Sequence, residues 1–356
     1  MSTSLAGQLP SLLAEVSGMS APREVLHGLI TSVVSGTHLV VDAPHADSPA
    51  LTALRNLVRT LVPTPLGALA TTTLSQATTP ASLLDSLLVS HGKDAGEVPP
   101  DVAAPASLPV VTSGLQLPAS SSPGTGGKAS ALSSAPTSPA GGYFPPLMAT
   151  DELRRVAPVW MVVGLDMTHK SVQRALLKTL SYGRFSLGGT VYTLPANFVM
   201  VAVCTGADAG HVTSPLRDYF LTRVSLGASA RIECPYPSAK ARSFPYTAGD
   251  LVEMRMELAR VYLHPDVLAY MKALVYALRQ DPCVAEGITA RAVPALSMAA
   301  RVSALLKDRL FVTPADIQIV IGPVLAHRIS LTSWSSSDAT VLDLLEDHVS
   351  AIDPPV

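Results

Sequence analysis

The sequence predicts an α/β fold with a mainly parallel sheet, followed by an all-α domain toward its C-terminal end. Three observations lead there. Short apolar runs at His38–Asp42, Pro158–Gly164 and Phe198–Cys204 alternate with segments of helical periodicity, as buried parallel strands alternate with crossover helices. From Asp250 onward the pattern is helical throughout. A hydrophobic content of 48% with only 15% charged residues suits a chain with a sizeable core.

In Arg23–Ser35 the apolar residues Val25, Leu26, Leu29, Ile30 and Val33 recur at helical spacing. His38-Leu-Val-Val-Asp42 is a short buried strand, closed by Ala43-Pro44. Leu51–Leu61 resumes a helix with Leu54, Leu57, Val58 and Leu61 on one face. The composition then changes: Glu97 to Pro146 is dominated by Pro, Ser, Ala, Gly and Thr and buries too little apolar surface to offset the entropy of ordering it. A flexible insert over 96–148 is therefore expected to divide the first domain into 1–95 and 149–233.

Beyond the insert, Ser171–Leu180 places Val172, Ala175, Leu176 and Thr179 along one side of a helix. Gly183–Leu194 carries two short strands around Gly188-Gly189, a hairpin signal. Helices follow over Asp250–Tyr262, Pro265–Arg279, Ala290–Lys307 and Pro314–His327, giving a helical domain over 246–335. Thr313 before Pro314 fits an N-cap with proline at the first helical position. The tail, 336–356, has an acidic stretch Asp343–Asp347 that can add one more helical turn.

Charge and composition exclude several classes. A formal net charge of -2 gives no electrostatic case for nucleic acid or an anionic membrane surface, and aromatics at 5% argue against a base-stacking platform. Cys204, Cys234 and Cys283 lie far apart with no C-x-x-C spacing, which argues against a disulfide framework or a structural zinc site and for a reducing compartment. Met1–Met19 lacks the basic start and apolar run of a signal peptide, and runs such as Val156–Leu165 are too short to span a bilayer. An intracellular, cytoplasmic protein is the expectation.

The strongest motifs lie in the helical domain. Gly287-Ile-Thr-Ala-Arg-Ala292 looks like G-A-S-P-R-A, Val312-Thr-Pro-Ala-Asp-Ile317 like V-T-P-E-D-V, and Pro323-Val-Leu-Ala-His-Arg-Ile329 reproduces P-V-L-A-H-R-I. In the first domain, Val172-Gln-Arg-Ala-Leu-Leu177 resembles V-Q-S-A-L-L, and Thr190-Val-Tyr-Thr-Leu-Pro195 resembles G-x-x-Y-P-L-P. Leu216–Val224 is similar, without a gap, to L-P-E-A-Q-L-D-R-F. These motifs, in this order, resemble the MoxR branch of AAA+ ATPases, close to the magnesium-chelatase ATPase subunit. The resemblance spans Arg23–Leu61 and Val159–Ile329. It implies a P-loop-type core with a C-terminal helical lid, ATP and magnesium as cofactors, and assembly with like subunits.

ATP hydrolysis on such a fold needs a glycine-rich loop with lysine, a strand-end Asp-Glu pair, a polar sensor and arginines. The loop position reads Ala43, Pro44, His45, Ala46, Asp47, Ser48, Pro49, Ala50: it has no glycine, and Pro49 and Ala50 stand where Lys and Ser/Thr belong. Without glycine the backbone cannot easily fold around phosphate, and Asp47 repels it. Pro123-Gly-Thr-Gly-Gly-Lys-Ala-Ser130 contains the right residue types around Lys128, but one glycine too many separates Thr125 from Lys128 and no strand precedes it.

The acid positions fall on Val163 and Gly164; the nearest acid, Asp166, reads either as a displaced magnesium ligand or as a helix cap or loop residue. The sensor position falls on Thr205, which still hydrogen-bonds with shorter reach. The resemblance puts Arg223 at the arginine-finger position, reaching a neighbouring subunit, and Arg291 at the lid sensor position. Interface salt bridging is the other reading of both. Asp42, His45 and Asp47 are close enough to suggest a metal, but such clusters in loops are usually solvated, and no metal site is assigned.

Three functions remain at this point. One is an AAA+-like scaffold or assembly partner, deficient in hydrolysis, that binds protein partners or homologous AAA+ subunits in a homo- or hetero-oligomer, with the hairpin Gly183–Leu194 as a partner-binding element. The second is an active ATP-dependent chaperone or magnesium-chelatase-like ATPase. The third is a helical interaction module with a vestigial core.

Overall fold

The computed structural model describes residues 23–43, 49–61, 69–90, 154–206, 212–226, 248–332 and 340–355. The expected insert over 96–148, with Lys128, lies outside them, as do Pro44–Ser48 of the expected loop. The described residues form one compact unit.

Helix α1 (Arg23–Ser35) and strand β1 (His38–Asp42) have the bounds that periodicity predicts. Helix α2 (Pro49–Leu61) opens on a proline, whose missing N–H costs little in a first turn. Four further elements are new relative to the sequence reading: β2 (Leu69–Thr73), α3 (Pro80–Asp85), β3 (Leu88–Ser90) and β4 (Arg154–Val156). Each is short or, like Leu-Ala-Thr-Thr-Thr, half polar, so no periodicity marks it. α3 is defined instead by a capping box between Thr79 and Ser82.

Then come β5 (Val159–Val163), a 3-10 turn (Leu165–Met167), α4 (Lys170–Tyr182), and the hairpin of β6 (Arg184–Leu187) and β7 (Thr190–Thr193). β8 (Val199–Cys204), α5 (Ser214–Arg217) and β9 (Phe220–Ser225) complete the domain.

Among the described residues the main sheet has five strands, all parallel, in the order β2-β5-β8-β1-β9. Every position of β5 and β8 is buried because helices cover both faces. Strand alternation divides the side chains: Leu39, Val41, Met161, Val163 and Val201 face the layer of α1 and α2. Val40, Trp160, Val162, Met200 and Ala202 face the layer of α3 and α4. From β1 the chain crosses through α2 to the far edge at β2, and from β8 it passes through α5 over β1 to β9. The connections on the two sides of β1 thus run in opposite directions, and the crevice beyond its carboxyl end is where open α/β sheets take ligands.

The helical domain contains α6 (Ala248–Arg260), α7 (Pro265–Gln280), β10 (Val284–Glu286), α8 (Ala292–Leu306), α9 (Pro314–Leu325), a 3-10 turn (Ala326–Arg328), β11 (Ser330–Leu331) and α10 (Val341–Ala351). The helix expected to reach Tyr262 stops at Arg260, because Tyr262 makes a parallel bridge with Phe311. The tail forms an 11-residue helix rather than a single turn, begun by a capping box of Thr340 and Asp343. None of the described helices is long and apolar enough to cross a membrane.

Lid and core share one hydrophobic cluster, running from Leu39 and Val41 through Val25, Leu29 and Val33 of α1 into Leu274, Leu296 and Val324 of the helical domain. Arg255 of α6 adds polar ties, donating to the carbonyls of Val33 and Val34 at 3.0 and 3.2 Å and to the Asn197 side chain.

Candidate functional site

The carboxyl ends of β1, β9, β8 and β5 bring Asp42, Ser225, Cys204 and Val163 to one edge of the sheet. Asp42 ends β1 and would lead directly into the expected loop. Its carboxylate accepts two hydrogen bonds from Arg223 of β9, Nε to Oδ2 at 2.5 Å and Nη2 to Oδ1 at 2.9 Å. This is a bidentate, charge-assisted pair, about a quarter exposed on both sides. Arg223 therefore lies within a strand with its guanidinium fixed inside its own chain. The gap-free comparison missed that Phe220–Ser225 is a strand whose register sets Arg223 beside Val40.

Asp166 sits in the 3-10 turn after β5 and is buried. Its carboxylate accepts the backbone N–H of Thr205 at 3.2 Å and that of Gly206 at 2.7 Å. It thus ties the end of β5 to the segment leaving β8, as a loop-anchoring residue does. Asp166 and Thr205 are brought together, but through the Thr205 backbone.

Between these acids, burial pushes the Cys204 thiol up to about 12, and the charges of Asp166 and Asp42 add to the shift. A thiol held so high stays protonated and unreactive.

At the acid positions, Val163 is buried and Gly164 adopts a left-handed conformation at φ +82°. A Cβ on Gly164 would come within 2.9 Å of the Leu74 carbonyl oxygen. The Gly164 N–H continues the ladder to Val203 at 2.8 Å, so the backbone here is pinned on both sides. Glycine is the residue this geometry admits.

Arg291 is elsewhere. Its guanidinium donates to the Tyr219 hydroxyl at 2.9 Å and lies 4.0 Å over that ring, a hydrogen bond combined with a cation–π contact. Tyr219 also pairs with the Ser181 hydroxyl at 2.5 Å. Tyr219 precedes the first residue of β9, so Arg291 stands at the amino edge of the parallel sheet. A six-residue strand, about 17–20 Å, separates that edge from Asp42.

Of the loop residues, Ala43 is buried and donates its N–H to the Cys204 carbonyl at 2.9 Å, and Ala50 is buried in α2. Pro49 begins that helix, so its first position offers no N–H to an anion. His45 and Asp47, considered with Asp42 as metal ligands, lie outside the described residues. Among the described residues no group of three or more His, Cys, Asp or Glu is placed to hold a metal ion.

The lid motifs have structural work. His327 is buried and meets the Phe220 carbonyl at 3.2 Å; burial, with Arg328 beside it, lowers its pKa to about 3, so it is neutral. Arg328 donates to the same carbonyl at 2.7 Å and to Val324 at 3.0 Å. Gly287, at φ +136°, passes so close to the Arg328 carbonyl that a Cβ would lie 2.3 Å from it. Tyr219 and Arg328 are the residues that sequence reasoning did not single out, and Asp42 was weighed there only within a metal cluster. A half-buried Asp–Arg pair across neighbouring strands leaves no local pattern, and Arg328 lay within the P-V-L-A-H-R-I motif without being assigned a role.

Residues 276–347 match the AAA lid domain family. Over 216 residues the chain is 30% identical to Chaperone MoxR1 of Mycobacterium tuberculosis, covering 54% of this chain and 56% of that protein. A crystal structure of a candidate ATPase from Cytophaga hutchinsonii superposes with a TM-score of 0.69 at 14% identity, over 99% of this chain and 96% of that one, a likeness of fold. The lid match, the likeness to MoxR1 and the shared fold together support kinship with the MoxR-type AAA+ family. The chain's α/β sheet is the AAA+ core and its helical domain the AAA+ lid. A second relative, YeaC of Bacillus subtilis, an uncharacterized protein, is 26% identical over 205 residues, covering 54% of this chain and 64% of that protein. The matched part thus spans 56% and 64% of the length of these two relatives.

Proposed function

We propose that this MoxR-type AAA+ chain is deficient in ATP hydrolysis and acts as a scaffold or assembly partner, engaging protein partners or homologous AAA+ subunits. The observation that carries this reading is Gly164. The position aligned with the water-activating glutamate is a left-handed residue whose Cβ would press on the Leu74 carbonyl. A side chain there has no room without moving the strand end.

The other groups described at this edge also fit a magnesium-bound nucleotide poorly. Asp166 is engaged by two backbone N–H donors, Asp42 is paired with Arg223, and Val163 has no side-chain oxygen. Magnesium needs several oxygens in near-octahedral order, usually from one or two free carboxylates, phosphates and water. Each carboxylate here is already committed to protein donors. Arg223 and Arg291 then act as internal ties, and Asp166 and Thr205 as supports of the sheet edge.

A second reading, an active ATP-dependent chaperone, is favoured by the name of the relative MoxR1. Steady-state phosphate release from the purified chain with magnesium and ATP separates the two. The scaffold reading expects a rate equal to the buffer blank, with and without Arg223→Ala. Turnover that disappears in Arg223→Ala would establish the chaperone-type motor instead.

A further inference from the structure

Helix α4 buries Val172, Leu176 and Thr179 on one side and turns the other to solvent. On the outward side Lys170, Arg174 and Lys178 follow one another at four-residue steps, all exposed. Tyr182 stands one step further along the same ridge, 66% exposed. Arg184, also exposed, comes two residues later as the hairpin begins. From Met167 to Ala207 the sequence holds no Asp or Glu. Among the described residues no carboxylate pairs with any of these four cations. The lid adds a fifth: Ser181 of α4 pairs with the Tyr219 hydroxyl at 2.5 Å, and Arg291 lies 4.0 Å over the Tyr219 ring.

A rise of about 1.5 Å per residue sets the three α4 cations about 6 Å apart along the axis. That is less than the Debye length of about 8 Å at physiological ionic strength, so their fields add. Like charges four residues apart destabilise a helix, and here no described acid relieves them. Elsewhere in the core arginines are committed, Arg154 to Asp85 at 2.8 Å and Arg223 to Asp42. The complement of the ridge is a helix with carboxylates at the same step and an apolar residue one step beyond, to pack on Tyr182. A long polyanion suits it less, because the chain as a whole carries a formal net charge of -2 and exerts no distant pull. A second copy suits it less too: among the described residues no helix of this chain has acids at three successive four-residue steps. Helix α10 offers only Asp343 and Asp347, and Asp343 is held in its own capping box.

We propose that the outward face of α4 docks an acidic helical segment of a different protein. Its carboxylates meet Lys170, Arg174 and Lys178, and its apolar residue packs on Tyr182, with Arg184 and Arg291 flanking the far end. Charge complementarity selects this occupant, and the exposed aromatic fixes its register. The inference rests on the partner-binding half of the proposed function. It is independent of nucleotide, so its failure leaves the reading of the sheet edge untouched, and ATP turnover in the phosphate-release assay leaves the docking face untouched.

Fluorescence anisotropy of the full chain, without nucleotide, tests it. The probe is a labelled, end-blocked alanine-based helical peptide with Glu at three successive four-residue steps and Leu at the fourth. Wild type should bind it saturably, and more weakly as salt rises from about 50 mM to about 300 mM. The triple variant Lys170→Glu, Arg174→Glu, Lys178→Glu should bind at least about tenfold more weakly. Tyr182→Ala should weaken binding several-fold and leave its salt dependence unchanged. Lys272→Glu, an exposed reversal on α7, should change nothing. A peptide with Lys in place of Glu should ignore wild type and bind the triple variant, a rescue that a misfolded chain cannot give. Absence of saturable binding up to millimolar peptide, equal binding by the triple variant, or equal loss in Lys272→Glu overturns the proposal. So does tighter binding of an RNA oligonucleotide, or of phosphatidylserine-containing vesicles, that the triple variant abolishes, since the face would then belong to a phosphate-bearing surface.

Discussion

The lid junction and the carboxyl edge of the sheet both bury charged side chains, but to different ends. At the junction, Arg328 is 2% exposed and donates to two carbonyls, and Gly287 is shaped around its backbone. In the lid itself Asp316 is fully buried, receives Lys307 and Arg309 at 2.6 and 2.7 Å, and caps α9 through Thr313. These are the motif residues of the family, and each has a task in holding the fold. At the sheet edge the positions aligned with chemistry carry valine, glycine, proline and alanine, and the nearby acids tie the protein to itself. The difference teaches that buried charges can fasten one part of a fold while those at another edge only tie neighbouring strands and loops together.

The largest expected effect lies in the lid. Asp316→Ala leaves two cations facing an empty cap and should cost about 3 kcal/mol in urea unfolding. Burial opposes the Asp316 charge, but Lys307, the Thr313 N–H and hydroxyl, and Arg309 together outweigh it and hold the carboxyl at about 2. Since this folded value is depressed, the stabilisation is complete above the ordinary carboxylate pKa, about 4, and is lost as pH falls toward 2. It amounts to about 2 kcal/mol. Wild type should therefore lose more stability than Asp316→Ala between those two values; parallel pH profiles would remove Asp316 from its assigned role.

Arg328→Met should come next, at about 2 kcal/mol, because the Phe220 carbonyl loses its donor inside the junction. Unchanged stability would mean that His327 alone satisfies that carbonyl. At the sheet edge, Gly164→Glu should cost about 1–2 kcal/mol from the left-handed backbone, and more from the contact with Leu74, without conferring phosphate release. A stable variant that hydrolyses ATP would erase the contrast between the two regions. Arg223→Ala is the mildest, about 1 kcal/mol, since its partner Asp42 is partly solvated and can rehydrate. A much larger loss would make this edge as tightly fastened as the junction.

How far the sequence revealed all this follows the same division. α1 and β1 were legible because Val25, Leu29 and Val33, or Leu39 to Val41, are apolar at one clear period. α9 was legible from Thr313-Pro314. β2 was not, because Leu69–Thr73 is mostly threonine and gains its place only by pairing with β5. β9 was hidden inside a motif comparison, so the pairing of Arg223 with Asp42 was not legible. Asp166 was weighed as ligand or loop residue, and its bonds to Thr205 and Gly206 depend on contacts some 40 positions away that no local pattern encodes.

Equilibrium titration of the purified chain with a fluorescent ATP analogue, with and without magnesium, tests the central claim most directly. The account predicts no saturable binding up to millimolar nucleotide and no difference on adding the metal. Magnesium-dependent binding in the micromolar range would contradict it.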